Sequence, residues 1–202
     1  VDEKWHIPHF EKMLYDNAQL VSIYSKAYIT NKNHLFKEVV TESLNFIKEE
    51  LTAENGAFYS SLDADSKNKL GEKEEGAFYE WTEAALQLIL GTDFELFKDF
   101  YNINSYGFWE KDKYVLIRNS SKVAFAAKHK LSLLALNNKI NTWKNTLKVE
   151  RNKRSSPNLD DKVLTSWNAL MIQGYVDAYR AFGNLEYLEI AIKNAHFIIE
   201  KQ

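Results

Sequence analysis

Three short segments hold most of the residues able to do chemistry. The first runs from Trp5 to Asn17 and carries His9, Glu11, Tyr15 and Asp16. On a helix His9, Met13 and Asp16 share one face and Glu11 and Tyr15 another, so an imidazole and a carboxylate can approach one ligand at the helix mouth. The same residues suit a plainer part, with His9 capping the helix and Asp16 bonding a neighbouring helix or loop. His6 and His9, three apart and without a third ligand, do not make a metal site.

The second segment, Leu62 to Asn68, sets Asp63 and Asp65 at alternate positions, and Glu74 follows at a spacing that resembles a calcium-binding loop. That match fails inside the loop: Lys67 stands at an oxygen-ligand position and Asn68 at the glycine of the sharp turn. The two carboxylates then serve either a ligand or the backbone N–H groups of a turn. The third segment, Asn158 to Asn168, combines Asp160, Asp161, Lys162, Trp167 and Asn168. Adjacent carboxylates suit a helix start, where the macrodipole favours negative charge. Together with a cation, a stacking surface and an amide they also suit a sugar, and an N-cap beside a core tryptophan remains the alternative.

These segments need elements to hold them. Phe10, Leu14, Ala18, Val21, Tyr24 and Tyr28 recur at three or four residues and predict a helix over roughly 9–30. Phe36, Val40, Leu44, Ile47 and Leu51 predict an antiparallel partner after Asn31 and Asn33. Gly56-Ala57-Phe58-Tyr59 recurs as Gly76-Ala77-Phe78-Tyr79, which predicts a pair of facing hairpin strands. Thr82 caps a helix that Gly91 stops, and a short stripe from Phe94 to Tyr101 follows. An aromatic strand pair is expected near 107–117, then a helix of about 25 residues ending at the basic run Arg151 to Arg154. Two last helices meet at Gly183-Asn184.

Tight turns therefore alternate with long polar and aromatic loops. That asymmetry predicts an all-α fold, a partial (α/α)6 toroid of about three helical hairpins with small β-hairpin insertions. Helices beginning near His9, Thr82 and Asp161 are expected inside, those beginning near Asn33, Lys128 and Asn184 outside. All three segments should then lie on one rim.

The 202 residues carry 26 Lys+Arg against 28 Asp+Glu, so neither a nucleic-acid footprint nor a polybasic membrane patch is expected. With 45% hydrophobic residues the chain can bury a large core, and 7 glycines with 2 prolines are too few for a many-stranded sandwich. Zero cysteines exclude disulfides and thiolate metal sites within these residues. A single cytoplasmic domain with no metal and no cofactor is the expectation. A half toroid would leave an apolar flank uncovered, which predicts self-association.

Val1 to Ala18, Ala57 to Ser66 with Glu75 to Thr82, and Leu159 to Asn168 resemble the YyaL-type thioredoxin-domain-containing family, whose animal members are called spermatogenesis-associated protein 20. Two positions depart from the family pattern, Ala169 where glycine is usual and Phe108 where asparagine is usual. The resemblance implies a fragment of a larger protein with a fused thioredoxin-like domain that is absent from this chain. It also implies a toroid like those of six-hairpin glycosidases and N-acylglucosamine 2-epimerases. Two readings of function follow. In the first the toroid is carbohydrate-active or carbohydrate-binding. His9, Glu11, Asp63, Asp65, Asp160 and Asp161 are its candidate catalytic groups, and Tyr15, Asp16, Trp81, Lys162, Trp167 and Asn168 contact a sugar-like small molecule. In the second it is a non-catalytic scaffold that presents substrates or partners to the thioredoxin-like domain.

Overall fold

The computed structural model describes residues 6–201. They form two compact units, one of residues 6–10 and 64–157, the other of residues 11–63 and 158–201. The second is here called the helical unit and the first the aromatic unit. Both are dominated by helix, every strand among the described residues being two or three residues long, and the fold class is all-α with small β insertions.

The helical unit consists of two helical hairpins: α1 (Leu14–Asn31) with α2 (His34–Glu50), and α7 (Thr165–Phe182) with α8 (Leu185–Lys201). The first hairpin turns at Lys32, in the left-handed region at φ 54°, and Asn33 then caps α2 by accepting from Leu35 N. The second turns at Gly183, also left-handed, where glycine avoids the Cβ penalty. Helices α1 and α7 pack along their length and run parallel. Tyr15 meets Trp167 at their starts, Ser22 donates to Asp177 midway, and Tyr28 meets Phe182 at their ends. Two parallel helices side by side, each returning through an antiparallel partner, form the repeat of a partial (α/α) toroid, with α1 and α7 as the inner pair. The seam is tight because Gly174 faces α1: a Cβ there would stand 3.0 Å from the Ala18 carbonyl oxygen.

Both inner helices begin later than periodicity predicts. Helix α1 starts at Leu14 rather than near His9, because β1 (Lys12–Met13) pairs antiparallel with β2 (Ser61–Leu62). Helix α7 starts at Thr165, because β7 (Leu159–Asp160) occupies the other edge of β2. Asp160 and Asp161 therefore do not sit at a helix N-terminus, and Leu164 holds the N-cap position without a side-chain bond.

In the aromatic unit β3 (Asp65–Lys67) and β4 (Lys73–Glu75) form a hairpin, and β5 (Trp81–Thr82) pairs with β6 (Lys113–Tyr114). The helices are α3 (Glu83–Leu90), α4 (Phe94–Phe100), α5 (Lys122–Lys128) and α6 (Leu133–Arg151). Thr82, Ser121 and Ser132 cap α3, α5 and α6 through their hydroxyls. The core is aromatic: Phe97 and Phe100 pack on Trp143, and Phe125 meets Phe100 edge-on. Trp143 Nε1 donates to Asp93, which also accepts from Lys139.

Two expectations need correction here. The repeated Gly-Ala-Phe-Tyr stretches are not facing strands. Each opens a local turn with its glycine at positive φ, 92° at Gly56 and 74° at Gly76, and Phe58 bridges only to the nearby Thr52. The likeness between them is turn chemistry, and the hairpin lies in the polar segment between. The expected 25-residue helix is two helices, α5 and α6, because Lys130 turns left-handed at φ 53° and Ser132 starts a new cap.

Candidate functional site

The three-stranded sheet β1-β2-β7 brings pieces of all three chemistry-bearing segments together in the helical unit. Ser60 is the tie. Its N–H donates to Asp160 O (3.1 Å), its hydroxyl donates to Lys162 O (2.7 Å), and its carbonyl accepts from Leu14 N (2.9 Å). Asp63 N donates to Asn158 O. Ser60 is buried, and nothing in its sequence context marks it; only the pairing of segments about 100 residues apart reveals the role.

Around this sheet the candidates divide. Glu11, Asp16 and Asp161 are exposed. Asp160 accepts from Lys162 Nζ at 2.8 Å, and that hydrogen bond holds its carboxyl below the usual range. Tyr15 and Trp167, both half-buried, meet edge-to-face with ring centres 4.8 Å apart. Asp63 is half-buried at the end of β2.

Asn168, expected to contact a ligand, instead holds the interior together. It is fully buried; its Oδ1 accepts from Phe58 N and Asn194 Nδ2, and its Nδ2 donates to Phe58 O and Leu164 O. The amide thus supports the loop that leads into β2. A second buried polar group, Asp177, lies further along α7. Burial raises its pKa, but hydrogen bonds from Ser22 and Lys26 outweigh that and leave the carboxyl ionised below the ordinary range.

His9, Asp65 and Trp81 belong to the aromatic unit. His9 is exposed in the segment before β1, and Asp65 opens β3 opposite Glu75. Trp81 is 5% exposed, with the Arg154 guanidinium 3.9 Å from its ring centre. Its ring face is therefore occupied by a cation of the same unit. Trp5, quoted with the first segment, lies outside the described residues. Among the described residues no cluster of three or more His, Asp or Glu could hold a metal ion, and no helix is long and apolar enough to cross a membrane.

Sequence reasoning missed a charged cluster in the aromatic unit. Lys113 bridges Glu74 (2.9 Å) and the buried Glu80, while Lys111 also reaches Glu74. Hydrogen bonds from Lys113, Asn68 and Lys111 bring the Glu74 pKa down to about 2. Burial pushes Glu80 the other way, above the carboxylate range, against the pull of Lys113, which stays a cation because both glutamates share it. The signal was present as Glu74, Glu80 and Lys113, but the pairing of β5 with β6 is what joins them.

A chain of helical hairpins with a small sheet gathering three loop segments defines a toroid-type protein. No family model matches the chain. Human spermatogenesis-associated protein 20 is 32% identical over 98% of this chain and 28% of its own length, and the mouse protein of that name is 33% identical over the same shares. An uncharacterized Caenorhabditis elegans protein is 34% identical over 98% of this chain and 30% of its own length. Nearly the whole chain is thus homologous to a part of spermatogenesis-associated protein 20, and it spans less than a third of the length of these relatives. A solved D-mannose isomerase covers 92% of this chain and 40% of its own at 16% identity, with a TM-score of 0.29, too low to bear on fold or function.

Proposed function

We propose that the rim of the helical unit binds a carbohydrate and supplies it with carboxylates. One observation carries this reading: β2 joins Lys12–Met13 on one side to Leu159–Asp160 on the other, so segments remote in sequence share one small sheet. Opposed residues of an antiparallel pair point to the same face, which groups Met13, Ser61 and Asp160. Two residues further along the pleat, Glu11 and Asp63 continue that face. Asp161 and Lys162 follow directly, and Tyr15 with Trp167 offers an aromatic edge. Exposed acids beside an aromatic surface are what hydroxyl-rich ligands require, because the acids accept hydroxyl hydrogen bonds while C–H faces stack on rings. Two carboxylates flanking one bond are also the minimum for glycoside chemistry, with Asp160 or Asp161 opposite Asp63 as the pair within this unit. His9 and Asp65 belong to the aromatic unit and form no part of this proposed site.

The test is calorimetric titration of the intact protein with a panel of neutral mono- and disaccharides, followed through Asp161→Asn. This reading expects binding in the parent and its loss in the variant. Asp161 is exposed and bonds to no other described residue, so stability should move by no more than about 0.5 kcal/mol. Unchanged affinity in Asp161→Asn, or no binding across the panel, overturns it.

A further inference from the structure

The aromatic unit contains a cleft of about 720 Å³, room for one small ligand. Its lining includes Lys67, Lys69, Glu80, Trp81, Lys113 and Arg154. Three features of these residues have no use within the fold. Glu80 is 5% exposed, and while its Oε1 holds Lys113, its Oε2 is buried without any hydrogen-bond partner. A buried acceptor left unsatisfied costs free energy unless a ligand supplies the donor.

Arg154 is the second feature. Its Nη1 donates to the carbonyls of Ala77 (3.2 Å), Phe78 (3.1 Å) and Glu80 (2.6 Å), and its guanidinium lies on Trp81. These contacts fix the plane of the group, yet its Nε and Nη2 make no hydrogen bond among the described residues. A fixed guanidinium with two adjacent donors unspent matches the geometry of a phosphate or carboxylate oxygen pair. The third feature is Lys67 and Lys69, both exposed at the β3–β4 hairpin and without an ion pair among the described residues. The turn between them and β4 is held by Asn68, whose Oδ1 accepts from Leu70 N and Glu72 N and whose Nδ2 donates to Glu74. The lysines are therefore carried on an ordered turn.

We propose that this cleft binds the phosphate monoester of a small polyol or sugar, with the phosphate on Arg154, Lys67 and Lys69 and a ligand hydroxyl donating to Glu80 Oε2. Lys67 and Lys69 have no carboxylate partner among the described residues, and together with Arg154, which feels the charge of nearby Glu80, they suit a dianion better than a monoanion, since a phosphate monoester carries close to two charges at neutral pH. The requirement for a hydroxyl carried on carbon, away from the anion, separates this ligand from inorganic phosphate, whose O–H groups sit on the phosphorus itself. The inference stands on residues of the aromatic unit alone and is independent of the rim reading above.

The experiment is calorimetric titration of the intact protein with glucose 6-phosphate, glycerol 3-phosphate, inorganic phosphate and glucose. The expected result is that at least one ester binds ten times or more tighter than inorganic phosphate, and that glucose does not compete. Lys67→Glu with Lys69→Glu, both exposed, should weaken ester binding at least tenfold with the thermal midpoint unchanged. Glu80→Gln should reduce the preference for ester over inorganic phosphate, and Asp161→Asn should leave ester binding unaltered. Absence of binding by both esters, equal affinity for ester and inorganic phosphate, or full binding in the double lysine variant overturns the proposal. Loss of ester binding in Asp161→Asn instead would move the ligand to the rim and overturn it too.

Discussion

The helical unit closes its core by backbone approach, and the aromatic unit closes its core by side-chain volume. In the first, Ala18, Gly174 and Ala178 line the seam of α1 and α7, and a carbonyl of one helix nearly touches the other. In the second, short helices are held by Trp143, Phe97, Phe100 and Phe125. Long helices can be positioned by small residues because many turns share the contact, whereas helices of seven or eight residues need large rings to bury enough area per residue. The same difference governs the polar groups. The helical unit buries amides such as Asn168 that bond backbone, while the aromatic unit spreads its charges through Glu74, Lys113 and Glu80.

The contrast can be broken first at Trp143. Trp143→Ala removes the central ring of the aromatic core and leaves Asp93 without its indole donor, and should cost about 3–5 kcal/mol in denaturant unfolding. Amide exchange should rise in α3, α4 and α6 and change little in α1 and α7. A uniform rise in both units would refute the separation of cores. Asn168→Ala strands the Phe58 N–H and C=O in the interior of the other unit, for an expected loss of about 3 kcal/mol. Its signature is faster exchange at Phe58 and in β2, and a loss below about 1 kcal/mol would mean the amide is dispensable.

A smaller effect tests the seam. Gly174→Val must push against Ala18 O and should cost about 2 kcal/mol, the usual scale of overpacking. The same change at Gly183, where nothing lies near a Cβ, acts only through its φ of 70°. If Gly174→Val is neutral, the close approach of α1 and α7 is not what shapes this unit. Smallest is the pH dependence that Glu74 adds in the aromatic unit. The Glu74 pKa is about 2 against an ordinary 4.5, so the unfolded chain takes up that proton first. The stabilisation is complete above about pH 4.5 and fades as pH falls towards 2. Glu74→Gln should flatten that part of the acid titration, and high salt should shrink it because the lysine partners are near the surface.

Helical periodicity alone determined the long helices of the helical unit. The apolar stripe from Leu14 to Tyr28, its counterpart from Val40 to Leu51 and the glycine turn at Gly183 are local patterns, and local patterns suffice where a helix spans four or more turns. The all-α class, the alternation of tight and long connections and the resemblance of three motifs were legible in the same way. The helix starts were not. Lys12–Met13 and Leu159–Asp160 are drawn out of the helical run by strand pairing with Ser61–Leu62, a contact between residues that no local window contains.

The repeated Gly-Ala-Phe-Tyr stretches mislead for a related reason. A glycine at positive φ and a strand end look alike in sequence, and only the hydrogen bonds tell them apart. At the sites the split is sharper still. Sequence identified Asp160, Asp161 and Trp167 as chemically capable, because side-chain type is a local property. Whether an amide such as Asn168 faces solvent or the interior, and whether an oxygen such as Glu80 Oε2 finds a donor, depends on which distant backbone packs against it. That is decided by the tertiary structure, because desolvation and pairing are properties of neighbours brought together by the fold.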